Sequence, residues 1–127
     1  MVCGGLEQWT ADAIDEMLDA DGIVHGLSDD ESKLLRGPQD FKPFHEVFRG
    51  AFPDIEVTLE EVIAEGDLVA ARCSVRGQHS GDHLGVAATN ASVQFTGMVF
   101  VRVRDGKIIE AWNNFDFLKM NKQIGLK

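Results

Sequence analysis

Hydrophobic positions change period once along this chain. Up to about residue 52 they recur at helical spacing; from Ile55 onward they alternate. Ile14, Met17 and Leu18 form an apolar stripe, with Asp12, Asp15, Glu16 and Asp19 on the other faces. This predicts a helix over 10–20, capped by Thr10, stapled by Trp9 against Ile14 and stopped by Gly22. Ile23, Val24 and His25 follow as a short extended piece, and 26–36 is polar and loop-like. Phe41, Phe44, Phe48 and Phe52 mark a second helix over 40–51, capped by Asp40, with Pro43 in its first turn and Phe52-Pro53 ending it. This stripe reads as core packing against a sheet in preference to a cofactor box.

The alternating half predicts two hairpins. Strands over 56–64 and 68–77 turn at Gly66-Asp67, with Glu61 opposite Arg72. After a loop over 78–92, strands over 93–104 and 107–116 turn at Asp105-Gly106, a dipeptide that tolerates the positive φ of a tight hairpin. A short helix over 117–123 closes the chain and Gly125 stops it. Helices first and antiparallel strands after make an α+β domain, a twisted sheet over amphipathic helices that leaves a cone-shaped hollow. Counted outward from Asp105-Gly106, Val103 opposes Ile108, Val101 opposes Glu110, Val99 opposes Trp112, Gly97 opposes Asn114 and Phe95 opposes Asp116. One face then carries Phe95, Val99 and Trp112 with Asn114 and Asp116, an apolar wall ending in a carboxylate, as a small-molecule pocket requires. A bulge in either strand would exchange part of this set. The opposite face carries Met98, Phe100, Ile109 and Phe115, enough apolar area to pair with a second copy, so a homodimer or higher homo-oligomer is expected.

Composition narrows the partners. The 127 residues suit a single domain over 1–127. A formal net charge of -9 argues against nucleic acid or an anionic membrane as partner. No apolar run approaches the roughly 20 residues of a membrane span. Cys3 and Cys73 make no disulfide framework or metal spacing and read as reduced thiols of a cytoplasmic protein. His79 and His83 flank Ser80-Gly81-Asp82, but no third ligand stands at useful spacing, so no metal is expected. Neither a phosphate-cradling glycine loop nor a Gly-x-Ser-x-Gly elbow is present.

Ala51-Phe52-Pro53-Asp54, Ile63-Ala64-Glu65-Gly66-Asp67, Gly77-Gln78-His79-Ser80-Gly81, Phe95-Thr96-Gly97, the stretch from Asp105 through Trp112 to Asp116, and Gln123-Ile124-Gly125 stand in an order and spacing that resemble the SnoaL-like polyketide (ester) cyclase family. The resemblance runs from about Ala13 to the C-terminus. It implies the cone-shaped α+β fold of the nuclear-transport-factor-2-like superfamily. It also implies cofactor-free, metal-free chemistry: intramolecular aldol closure of a ring on a polyketide methyl ester, with an aspartate matching Asp116 as acid/base. His79 matches the family's Gly-x-His-x-Gly position, and His25 stands where relatives often place a pocket residue. Three departures are visible. The long first family helix is expected to be truncated or missing, Ala111 replaces a frequent histidine, and Ala87-Ala88 replaces a frequent Pro-Pro pair.

The candidate site is therefore Asp116 as proton carrier, with Trp112, Asn114, Phe95, Val99, His25 and His79 lining the pocket. Asn114 would donate a hydrogen bond to an enolate oxygen. Asp116 also directly precedes Phe117-Leu118-Lys119, where it would serve as a helix N-cap. Two functions compete. One is a cofactor-independent cyclase or isomerase acting on an apolar carbonyl-bearing molecule. The other is a non-catalytic domain of the same fold that binds a small molecule or self-associates. An Asp116 facing an enclosed cavity would favour the first, and an Asp116 turned to solvent or used as a cap the second.

Overall fold

A computed structural model describes residues 11–27, 34–82 and 87–125. The expected cap at Thr10, its staple at Trp9, Cys3 and His83 lie outside the described residues.

Six strands form one sheet in the order β2-β1-β6-β5-β4-β3. The elements are α1 (Ala11–Met17), β1 (Leu18–His25), β2 (Leu35–Arg36), α2 (Gly37–Ala51), β3 (Glu56–Glu65), β4 (Leu68–Gln78), β5 (Ser92–Arg104), β6 (Lys107–Phe115) and α3 (Phe117–Gln123). Neighbours are antiparallel except β1 and β6, which run parallel. The two hairpins and the last helix stand where alternation placed them. Asp105 and Gly106 both take positive φ, 53° and 77°, as the tight turn demands. Arg72 donates to Glu61 across the β3–β4 ladder at 2.9 Å.

The N-terminal third departs from expectation. The first helix ends at Met17, and the chain from Leu18 is a strand. Pairing against β6 places Leu18 and Val24 in the core from a strand, with Leu18 opposite Ile108 and Val24 opposite Ala111. Tertiary packing has overridden local propensity. Gly22 sits within the shifted β1–β6 register, where a Cβ would lie 2.8 Å from the Ile108 carbonyl oxygen. It is a close-approach residue and not a helix stop. The second helix begins three residues earlier than expected, at Gly37, so Pro43 lies inside it and not in its first turn. Arg36, and not Asp40, is the N-cap; Asp40 lies in the first turn, where its Oδ2 accepts from the Arg36 backbone N–H at 2.9 Å.

The core forms two clusters. One joins Phe48, Phe52, Ile55, Val75, Phe95, Met120 and Ile124; the other joins Ile14, Leu18, Val24, Phe41, Val101 and Ile108. Phe44 packs against both.

Candidate functional site

A chamber of about 130 Å³ opens between the inner sheet face and the phenylalanine stripe of α2. Phe41, Phe44 and Phe48 form its helical wall, so the stripe expected to be plain core packing also faces a void. β3, β4, β5 and β6 supply aliphatic and small side chains, including Leu59, Cys73, Val99 and Ala111, and Phe115 and Phe117 close one side. Among the described residues, Asn113 contributes the only side-chain nitrogen and oxygen of the lining, and Cys73 the only sulfur.

Residue 113, and not 114, faces the chamber because of a single bulge. Arg104 pairs with Lys107 and Val103 with Ile108, as counted from the turn, but Arg102 then pairs with Glu110. Ile109 is the extra residue. One inserted residue reverses the facing of everything beyond it. Ala111, Asn113 and Phe115 consequently line the chamber, while Glu110, Trp112 and Asn114 point to the outer face. The sequence held a signal for this. Without the bulge Glu110 stands among aliphatic residues on the buried face, and the bulge moves that charge outward. Gly97 completes the fit: it pairs with Phe115, and a Cβ there would lie 2.1 Å from Phe115 Cδ1.

The expected site residues consequently separate. Phe95 and Val99 line the chamber, as expected. Trp112 and Asn114 do not; both border a shallow outer groove with Met98 and Phe100. His25 pairs with Trp112 in the parallel β1–β6 register and shares its outer face. Its ring stacks on Trp112 at 5.5 Å and 7°, and its Nε2 lies 2.7 Å from Glu110 Oε2. His25 is thus a clamp between two strands and not a chamber residue. Its backbone carbonyl does reach the site indirectly, accepting a hydrogen bond from Asn113 Nδ2 at 2.9 Å.

His79 does not line the chamber either. It is fully buried, with its ring 5.5 Å from that of Phe52. Its Nδ1 accepts from the Thr89 backbone N–H at 3.3 Å and lies 3.0 Å from Thr89 Oγ1. An accepting Nδ1 leaves the proton on Nε2, which has no partner among the described residues. The ring fastens the loop after β4 to the end of α2.

Asp116 is exposed. Its Oδ1 accepts from the Lys119 backbone N–H at 3.0 Å, the N-cap bond of α3. The carboxylate is not part of the chamber lining, although its chain neighbours Phe115 and Phe117 are. The register that aimed Asp116 inward opposite Phe95 is corrected: its N–H bonds to Thr96 O, one residue out of that alignment. Among the described residues, the chamber contains no titratable oxygen or nitrogen.

A family model for the SnoaL-like polyketide cyclase matches residues 5–124. Aklanonic acid methyl ester cyclase DnrD of Streptomyces peucetius is 32% identical over 93 residues, which is 72% of this chain and 63% of that relative. The chain thus spans less than two thirds of that relative's length. Among solved structures, IdmH of Streptomyces antibioticus superposes with a TM-score of 0.80 at 28% identity, covering 95% of this chain and 91% of that one. A protein of Jannaschia sp. CCS1 assigned as a SnoaL-like polyketide cyclase superposes at 0.81 with 25% identity, covering 92% and 79%. Among the described residues, no helix is long and apolar enough to cross a membrane.

Proposed function

Because the chain belongs to the SnoaL-like polyketide cyclase family, we propose that its chamber receives an apolar, carbonyl-bearing molecule of polyketide type and closes a ring on it without metal or cofactor. The observation that carries this reading is the chamber itself: a partly open apolar hollow with, among the described residues, one amide in its wall. Burial of ring and alkyl surface supplies affinity at about 25 cal/mol per Å². An aldol closure needs a proton taken from a carbon beside carbonyls and one returned to the new alkoxide. Asp116 is the group proposed to exchange them at the chamber's edge. It stands between two lining phenylalanines, and its Oδ2 accepts no hydrogen bond among the described residues. A cytoplasmic setting belongs to the same proposal, since the two cysteines of the sequence make no disulfide framework.

A second reading, binding without turnover, is favoured by one observation: Asp116 is exposed and already engaged as a cap. Asp116→Asn separates the two, because asparagine caps a helix about as well as aspartate and carries no exchangeable carboxyl proton. On an aklanonic acid methyl ester-type substrate, the variant should lose about a hundredfold or more in turnover with an unchanged melting temperature. Turnover equal to wild type would remove Asp116 from the reaction. A wild-type chain that binds the substrate and leaves it unaltered would establish the second reading.

The outer groove is the proposed surface for a second copy of the chain. Ile63, Met98 and Phe100 are exposed there beside Trp112. Phe100→Arg should convert the assembly to monomers in sedimentation at micromolar concentration, with the chamber still able to bind. A wild-type monomer under those conditions would refute the interface.

A further inference from the structure

The one side-chain amide among the chamber's described lining residues has a fixed orientation, and that orientation sets what a ligand must bring. Asn113 Nδ2 lies 2.9 Å from the His25 backbone oxygen. A carbonyl oxygen can only accept, so the nitrogen must be on that side and Oδ1 on the other. The partner is itself held. The His25 ring is stacked on Trp112 and bonded to Glu110, which fixes the end of β1 against β6. Oδ1 accepts no hydrogen bond among the described residues. It is also not sealed away: the one buried side-chain polar atom without a partner in the described structure is His79 Nε2. Asn113 therefore brings an open acceptor to a wall that is otherwise hydrocarbon, ring and thiol.

We infer that Asn113 is a specificity residue selecting ligands whose enclosed end carries an O–H or N–H donor, a phenol or an enol, on a one- or two-ring apolar skeleton. This rests on the reading of the chamber as a binding site and names what it takes. The size follows from the volume. An apolar cavity of about 150 Å³ accepts benzene, so this one, at about 130 Å³, holds one ring within it, and its open side leaves room for a second ring to extend outward. The donor requirement follows from desolvation. A ligand that covers Oδ1 without supplying a donor strips its water and returns nothing, the costly side of hydrogen-bond energetics. The second N–H of Nδ2 can serve a ligand carbonyl, but only a donor on the ligand satisfies Oδ1. An enol presents such a donor, so the preferred tautomer of a β-dicarbonyl ligand would be the one that has already moved its carbon-bound proton to oxygen.

The test is calorimetric titration of the full chain with β-naphthol, its methyl ether and naphthalene. β-Naphthol should bind about tenfold more tightly than either of the others, and Asn113→Leu should bring the three to within about twofold. In the wild-type chain the Asn113 side-chain amide resonances should shift clearly further with β-naphthol, which bonds to Oδ1, than with naphthalene, whose ring current alone reaches them, a readout that stands whether or not the variant folds. Equal affinities, or tighter binding of naphthalene or the ether, would overturn the inference and leave the chamber reading intact. No binding of any of the three would overturn both.

Discussion

Ala111→Phe should leave the chain folded and reduce β-naphthol affinity by about a hundredfold or more, equivalent to ~2.7 kcal/mol. Ala111 is buried on β6, between Val24 of β1 and Val101 of β5, and its methyl group faces the chamber two residues before Asn113. A benzyl group there projects into empty space and occupies the volume a ligand ring would take. In a filled core, such an insertion costs typically 1–3 kcal/mol in strain; here the void absorbs most of the added atoms. The expected pairing of retained melting temperature with lost binding is therefore specific to a hollow. Unchanged affinity would place the ligand elsewhere, and the outer groove beside Trp112 would become the site to test. A variant that fails to fold would show that the wall is too tightly packed to admit a ring. The position also bears on chemistry. The family resemblance puts a histidine here in many relatives, and the structure puts residue 111 in the wall.

Whether such a site can be read from sequence depends on how far a register survives from its anchor. The Asp105-Gly106 turn fixed the first two pairs on each side, because two positive-φ residues admit few alternatives. Ile109 then added one residue, and every assignment beyond it reversed. Asn113 replaced Asn114 in the chamber, Phe115 entered it, and Trp112 left it. Residues on β5, the strand without the insertion, kept their faces, which is why Phe95 and Val99 stand where alternation put them. The N-terminal strand failed for a different reason. Leu18 to His25 pairs parallel to β6, some ninety residues away in sequence, and no local pattern announces a partner that distant. His25 was expected in the pocket for its place in the family pattern, but its facing is set by that pairing, which carried it outward with Trp112. The conflict at Asp116 was legible from the start. The same residue sat at the end of a strand and at the start of a helix, and the cap bond to Lys119 is the interaction that formed.

The hollow makes a second large prediction, in stability. Phe52→Ala should cost about 3–5 kcal/mol, a large part of the ~5–15 kcal/mol that holds a domain of this kind folded. Phe52 is fully buried, outside the chamber lining, between the Phe48 ring at 5.3 Å and the His79 ring at 5.5 Å. Its removal opens a new cavity and withdraws the surface on which His79 rests. Phe44→Ala, two stripe positions away beyond Phe48, should cost markedly less, about 1–2 kcal/mol. That ring is only partly buried and faces the chamber, so one side of it has no packing partners to lose. The difference is the observable. Two phenylalanines, one within α2 and one at its C-cap, truncated identically, should differ by about 2 kcal/mol or more in chemical denaturation. Phe44→Ala should also enlarge the chamber and relax its size selection, admitting bulkier ring systems than the wild type takes. Equal costs at the two positions would mean that Phe44 is packed on all sides, which an open chamber does not allow.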